Sequence, residues 1–300
     1  MNAARPNPPP PSRRESDAVP EISLDGELNP ADFAVFRKFL VDSSGIMLGD
    51  NKQYLVRSRL SGLLRENRYA SLVEFVAALR AGTVAASLKG RIIDAMTTNE
   101  TFWFRETAHF EEIREVLLPA WMATRGGSVR IWSAACSTGQ EPYSISLCVE
   151  EFLRGKPPGA GKPIQILGTD ISDLALAIAI RASYSELALS RGLEPALKSH
   201  YFVANGDQWR LKPEIASRVR FKPFNLLAPY TALGRFDVIF CRNVLIYFPD
   251  DLKHDILARL AGALTPGGFL FLGGAETLPP GLDAYEIARG GRCRYYRVKT

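Results

Sequence analysis

Several short stretches of the chain gather side chains that can bind or transform a small molecule. Ser133-Ala134-Ala135-Cys136-Ser137-Thr138-Gly139-Gln140-Glu141 is a run of small residues ending in a carboxylate. Placed after a strand and before a helix, such residues let the backbone approach a ligand closely, at the crevice where an open α/β sheet takes a nucleotide-like cofactor. The run does not match GxGxxG, which favours a cofactor without a pyrophosphate; the same small residues would also simply allow a helix to pack closely. Asp170 ends a second apolar run, Ile164 to Gly168. A carboxylate there can accept hydrogen bonds from the vicinal hydroxyls of a ribose, although Asp170 or Asp173 could equally cap the next helix. Taken with Thr265-Pro266-Gly267-Gly268 before a late strand, the pair of features points to an adenosyl cofactor.

Two further segments carry polar and aromatic groups. Asp94 to Glu106 holds Thr97, Thr98, Asn99, Thr101, Phe102, Trp103, Phe104 and Arg105 at the junction of two differently patterned regions. It can line a pocket, an aromatic stacking on a ring while amides and hydroxyls fix polar edges, or it can serve as an apolar linker that docks two units. Phe236 to Phe248 reads as a buried strand delivering Arg242, Asn243 and Tyr247 to its carboxyl end. Enzymes that methylate amino groups of nucleic-acid bases carry Asp or Asn followed by Pro-Pro-aromatic at this place. Its absence here argues against that activity.

The elements that must position these groups follow from periodicity. Residues 1–28 are rich in proline and poor in apolar side chains and read as a disordered tail. From 29 to 95 the apolar residues fall at helical spacing, as in Phe33, Phe36 and Leu40, or Val56, Leu60 and Leu64, with Asn29 or Asp32 and Ser71 as caps and with Gly45 and Gly62 as interruptions. After Arg105, strands alternate with helices, the pattern of a parallel sheet covered on both faces. Strands are expected at 129–133, 164–168, 236–241 and 269–272, and the Arg292 to Val298 segment as a closing edge strand. Asn205-Gly206 between two short strand-like runs predicts a hairpin, read as a β insertion at about 200–224.

With 300 residues, 46% of them hydrophobic, the chain can bury a large core, which excludes a disordered or fibrous class. No apolar run suits a membrane helix or a signal peptide, so a cytoplasmic location without membrane insertion is expected. Cys136, Cys148, Cys241 and Cys293 form no CxxC pair, and His109, His200 and His254 are scattered; reduced thiols and no metal site are expected. The net charge of +5 suggests an anionic partner, and much of it sits in two places. Residues 289–300 hold five basic and no acidic groups, and 31–95 hold ten against six. On a helical wheel Arg57, Arg65 and Arg68 share a face beside Leu60 and Leu64, with Lys52 and Arg59 on the other flank. That face is either merely solvated or docks an acidic protein surface.

Four blocks, Thr97 to Glu106, Trp132 to Ser144, Gly168 to Ile171 and Cys241 to Phe248, closely resemble the chemotaxis receptor methyltransferase (CheR) family. The resemblance runs from about residue 30 to the end. It implies a Rossmann-like class I methyltransferase sheet over 96–300, with a small all-helical N-terminal domain over 29–95. The activity implied is protein-glutamate O-methylation of the cytoplasmic helical domain of methyl-accepting chemotaxis receptors, with S-adenosyl-L-methionine as methyl donor and S-adenosyl-L-homocysteine as product. Carried over, it assigns cofactor contacts to Asn99, Thr101, Arg105, Glu141, Asp170, Asn225, Leu226, Arg242 and Asn243, and puts Arg105 and Tyr247 closest to the transferred methyl. A glutamate is already ionised at neutral pH, so no general base is needed and alignment does most of the work. Family members that tether to a receptor-tail pentapeptide carry a longer, glycine-richer hairpin loop; the short turn here predicts independence from that peptide. Docking through Arg57, Arg59, Arg65 and Arg68, no nucleic-acid partner and a monomeric state complete the expectations. The lack of GxGxxG opposes a nicotinamide-dependent dehydrogenase, and retention of Arg105, Tyr247, Asp170 and Glu141 opposes a silent docking homologue.

Overall fold

The computed structural model describes residues 28–123, 127–157, 161–289 and 292–299; all but the last residue of the expected tail lies outside them. Leu28, that last residue, is buried in the helical core. Four helices form the N-terminal part: α1 (Pro30–Ser44), α2 (Gln53–Glu66), α3 (Leu72–Ala81) and α4 (Ala86–Met96). Asn29 caps α1 by accepting the N–H of Asp32, and Ser71 caps α3 by accepting that of Glu74. Phe36, Leu40, Leu60, Leu64, Phe75 and Ile92, at helical spacing, meet in one core. Gly62 lies inside α2 and interrupts nothing.

The remainder is a seven-stranded sheet in the order β6-β2-β1-β7-β8-β10-β9. Its strands are β1 (Val129–Ala134), β2 (Ile164–Asp170), β6 (Val219–Pro223), β7 (Phe236–Cys241), β8 (Leu264–Phe271), β9 (Tyr285–Arg289) and β10 (Arg294–Val298). The first five pair in parallel; β10 runs antiparallel to both β8 and β9. Helices α5 (Thr107–Glu112), α6 (Leu118–Ala123), α7 (Gln140–Leu153), α8 (Asp173–Arg181), α9 (Glu186–Ser190), α10 (Pro195–Tyr201), α11 (Pro213–Ala216) and α12 (Asp250–Ala263) fill the connections. Alternation sends Ile131, Val238 and Phe240 to the core that holds α7, and Trp132, Ile239 and Cys241 to the core that holds α12.

Three further expectations are corrected. Residues 265–268, expected ahead of the late strand, lie inside β8. The small sheet consists of β3 (Ser183–Ser185), β4 (Phe202–Asn205) and β5 (Gln208–Leu211), whereas Val219–Pro223 belongs to the main sheet as its edge beside β2. The β4–β5 turn has Gly206 and Asp207 at its centre, closed by the Asn205–Gln208 pair. The Arg294–Val298 strand is interior, because β9 pairs on its far side and forms the edge. Tyr295 of β10 continues a ring stack through Phe271 to Phe240, with centroids 4.8 and 4.6 Å apart.

The helical part is latched to the sheet. Asn225 Nδ2 donates to the Ser43 carbonyl at 2.8 Å, and the Met47 N–H donates to the Tyr247 carbonyl at 2.8 Å. Gly45, at φ +76°, sits where an added Cβ would fall 2.5 Å from the Phe248 ring, so that close approach requires glycine.

Candidate active site

After β2 the chain adds β6 on its outer edge and then crosses to the far side of β1 to lay down β7, so the carboxyl ends of β1 and β7 flank the switch point of the sheet, where an open α/β fold leaves a crevice. A cavity of about 280 Å³ opens there, roofed by Ile46, Met47, Leu48 and Arg59 of the helical part. Asn99, Thr101, Arg105, Glu141, Asp170, Asn225, Leu226, Arg242, Asn243 and Tyr247 all line it.

The loop after β1 is held in an unusual shape. Ala135, Ser137 and Gly139 have φ of +56°, +51° and +93°, and left-handed non-glycine residues are costly unless their surroundings fix them. Here the Cys136 N–H donates to the Thr169 carbonyl at 2.9 Å, the Ser137 N–H to Asp170 Oδ2 at 2.7 Å, and the Ser137 hydroxyl to the Asn99 carbonyl at 2.9 Å. Gly139 is required: its Cβ would lie 2.9 Å from that of Ala179. Asp170 also accepts the Ser172 N–H at 2.9 Å, while Ser172 is the residue whose hydroxyl caps α8. Asp170 is therefore not itself the cap. Burial raises its pKa above the usual value, against the opposing pull of these N–H groups.

At the other wall, Glu141 in the first turn of α7 accepts the Ser133 hydroxyl at 2.7 Å and Arg242 Nη1 at 2.8 Å. Arg242 is buried, and its Nη2 donates to the Arg105 carbonyl and to Glu106 Oε2, the latter at 3.0 Å. Burial works to raise the pKa of Glu106, but Arg242 and the N–H of Gly274 outweigh it and the net shift is downward. His109 lies 3.4 Å from Glu106, yet burial first and Arg242 second push its pKa down to about 4, so the imidazole is neutral at pH 7. Cys136 faces the same cavity; burial, then the charges of Asp170 and Glu141, hold its thiol well above the ordinary range.

The expected residues differ in what they are free to do. The Tyr247 hydroxyl has no hydrogen-bond partner among the described residues, and Arg105 makes a 3.2 Å bond to the Glu100 carbonyl and a cation–π contact with Phe102. Arg242 bonds to protein through both Nη atoms while its buried Nε has no partner among the described residues, and Asn225 spends its side chain on Ser43 and the Leu227 N–H. The basic face is also redrawn. Arg59 points into the cleft, donating to the Met96 and Thr97 carbonyls at 2.9 and 3.1 Å, because its long stem can turn away from the flank its Cα marks. Arg68 lies beyond the end of α2 at φ +62°, and Lys52 sits in a 3-10 turn before it. Arg57, Arg65 and Arg68 remain exposed and carry no ion pair among the described residues.

Glu106 and Glu276 were not singled out from sequence, and Arg59 was read only as part of the docking face. A pair of glycines, Gly273-Gly274, directly after β8 is the one mark of close backbone approach next to Glu276. Among the described residues no group of three or more His, Cys, Asp or Glu is disposed to hold a metal ion, and no helix is long and apolar enough to cross a membrane.

Comparison with known proteins fits this geometry. Residues 99–292 match the CheR methyltransferase SAM-binding domain and 31–97 the CheR methyltransferase all-alpha domain. The chain is 46% identical over 271 residues to chemotaxis protein methyltransferase 1 of Pseudomonas aeruginosa, covering 90% of this chain and 98% of that protein. Chemotaxis protein methyltransferase Cher2 of Pseudomonas putida is 44% identical, over 89% of this chain and 98% of its own length. A chemotaxis protein methyltransferase of Vibrio parahaemolyticus is 41% identical, over 91% and 98%. With both domain types in order and the relatives matched over nearly their whole length, the chain belongs to the CheR family of chemotaxis methyltransferases, which use S-adenosylmethionine as methyl donor.

Proposed function

We propose that this methyltransferase esterifies glutamate side chains on the cytoplasmic helical domain of chemotaxis receptors. The observation that carries the reading is the convergence of Arg105 and Tyr247 on the cavity whose walls hold Asp170 and Glu141. The donor supplies a methyl on a positively charged sulfur. The acceptor carboxylate attacks that carbon in line, the carbon–sulfur bond breaks as the carbon–oxygen bond forms, and no proton has to move. Both reacting charges vanish, so the protein must align them without over-solvating either. Asp170 accepts the ribose hydroxyls with the lone pairs its N–H partners leave free. Asn99 and Thr101 on one side, and Leu226 with Asn243 on the other, bound the donor. Glu141, fixed by Ser133 and Arg242, puts a negative charge on the cationic end. Asn225 and Arg242 act by holding the walls, the amide of the first and both Nη atoms of the second being already engaged. Arg105 orients the acceptor carboxylate, and the unengaged Tyr247 hydroxyl donates a hydrogen bond beside the reacting centre.

The receptor surface is acidic, and Arg57, Arg65 and Arg68 are the basic groups offered to it, while Arg59 meets the acceptor's end from inside the cleft. Docking is independent of a receptor-tail pentapeptide, a reading supported by the two-residue β4–β5 turn. The enzyme acts in the cytoplasm as a monomer. Transfer of radiolabelled methyl to receptor membranes, released by mild base as methanol and mapped to glutamates, is the expected result; label on other side chains would overturn the substrate. Micromolar binding of the pentapeptide by calorimetry would overturn its independence.

A further inference from the structure

Glu276 takes no part in the chemistry above, yet it is buried, 8% exposed, beside the cleft. Oε2 accepts the N–H of Asn243 at 2.7 Å and that of Gly273 at 2.8 Å. Oε1 accepts the N–H of Leu245 at 2.9 Å and that of Val244 at 3.1 Å. An ionised carboxylate offers about four lone-pair sites, and main-chain donors fill all of them. No lysine or arginine pairs with it among the described residues; its counter-charge is the set of converging amide dipoles. The turn it binds is a strained one, with Asn243 at φ +56°. The fit is close: a Cβ on Gly273 would lie 2.6 Å from Asn243 Nδ2 and 2.8 Å from Glu276 Oε2.

This turn leads straight from β7 to Tyr247, and Arg242, Asn243, Val244 and Tyr247 all contribute to the cavity wall. Without the carboxylate, three consecutive N–H groups of the turn lose their acceptor, and among the described residues the left-handed Asn243 is held only by its side-chain bond of 3.4 Å to Glu106. We infer that Glu276 is a positioning residue of the methyl-transfer site, an anionic template that imposes the shape of the 243–245 turn and so of the cleft it walls. The inference rests on the proposed placement of the cofactor along Arg242 and Asn243.

The test uses the full chain and S-adenosylhomocysteine, comparing wild type, Glu276→Gln, Glu276→Asp and Asp170→Asn by calorimetric titration and by amide hydrogen exchange. Glu276→Gln keeps the volume but turns one acceptor into an amide donor facing N–H groups. It should weaken binding about tenfold to a hundredfold. Faster exchange should be confined to 242–248 and 273–276, with β1, β2 and β7 still protected, and Glu276→Asp should recover part of both. Binding within about twofold of wild type in Glu276→Gln, with Asp170→Asn impaired, would overturn the inference; so would loss of protection across the whole sheet, which would make the role merely structural. If Asp170→Asn binds like wild type, the cofactor placement is what fails, and the exchange pattern alone decides the role of Glu276.

Discussion

Arg242 donates from Nη1 to Oε2 of Glu141 at 2.8 Å, and this buried pair ties the end of β7 to the first turn of α7. The same guanidinium also faces the half-buried Glu106, so one buried cation compensates two carboxylates. Removing one side of a buried pair strands the other, at a cost of about 3–5 kcal/mol. Arg242→Ala should lose stability of that order in urea unfolding at pH 7, and Arg242→Lys should regain only part, because an ammonium cannot span both partners as the planar fork does. A loss below about 1 kcal/mol, the size of an exposed pair, would contradict this account.

The buried His109 makes a prediction about acid. Its pKa of about 4 in the fold lies below the ordinary 6.5, so between those values the unfolded chain binds a proton that the folded one does not. Stability should therefore fall as pH drops from 6.5 to 4, by about 3 kcal/mol from this group alone. His109→Gln, which cannot titrate, should show a shallower decline over that window. Denaturant midpoints measured at half-unit pH steps give the difference, and parallel curves for the two proteins would refute it.

Tyr247→Phe deletes one hydroxyl with no partner to strand. If that hydroxyl donates near the reacting centre, single-turnover methyl transfer to receptor membranes should slow about tenfold to a hundredfold, the worth of one hydrogen bond to a charged group. The KM for S-adenosylmethionine should stay within about threefold. A change confined to KM would make Tyr247 a binding group instead, and wild-type rates in both this variant and Arg105→Ala would remove the proposed roles.

Reversing charge at two of the three exposed positions, Arg57→Glu with Arg65→Glu, should lower kcat/KM for the receptor about tenfold at low ionic strength. The deficit should shrink as salt rises, since the screening length is about 10 Å at 0.1 M. Affinity for S-adenosylhomocysteine, measured in the same buffers, should not move. An equal deficit at all salt concentrations would mean that the substitutions damage the fold.

Much of the site was legible because its parts are local in sequence and the topology does the assembling. Asp170, Arg242 and Asn243 each stand at or just after the carboxyl end of a parallel strand and Glu141 in the first turn of the helix that follows one, and parallel strands deliver those ends to one edge. What sequence could not convey was where long or anionic side chains turn. Arg59 has the helical phase of a flank residue but a stem long enough to reach the Met96 carbonyl. Glu276 is marked only by neighbouring glycines, because a carboxylate that gathers main-chain N–H groups needs no partner side chain at any fixed spacing. The edge strand Tyr285–Arg289 escaped notice for a related reason: its five residues alternate weakly, and only pairing with β10 defines it.

Cys136 gives the cleft a hazard and its remedy together. A thiolate is a far better nucleophile than a carboxylate, and Cys136 belongs to the wall of the cavity proposed to take a reactive methyl donor, with its sulfur packed close to Gly168. Burial and the neighbouring charges of Asp170 and Glu141 keep it as a neutral thiol, a poor competitor for the methyl group. Burial does most of this, and the two carboxylates assigned to grip the donor add to it, so the charges proposed for binding also work against self-alkylation.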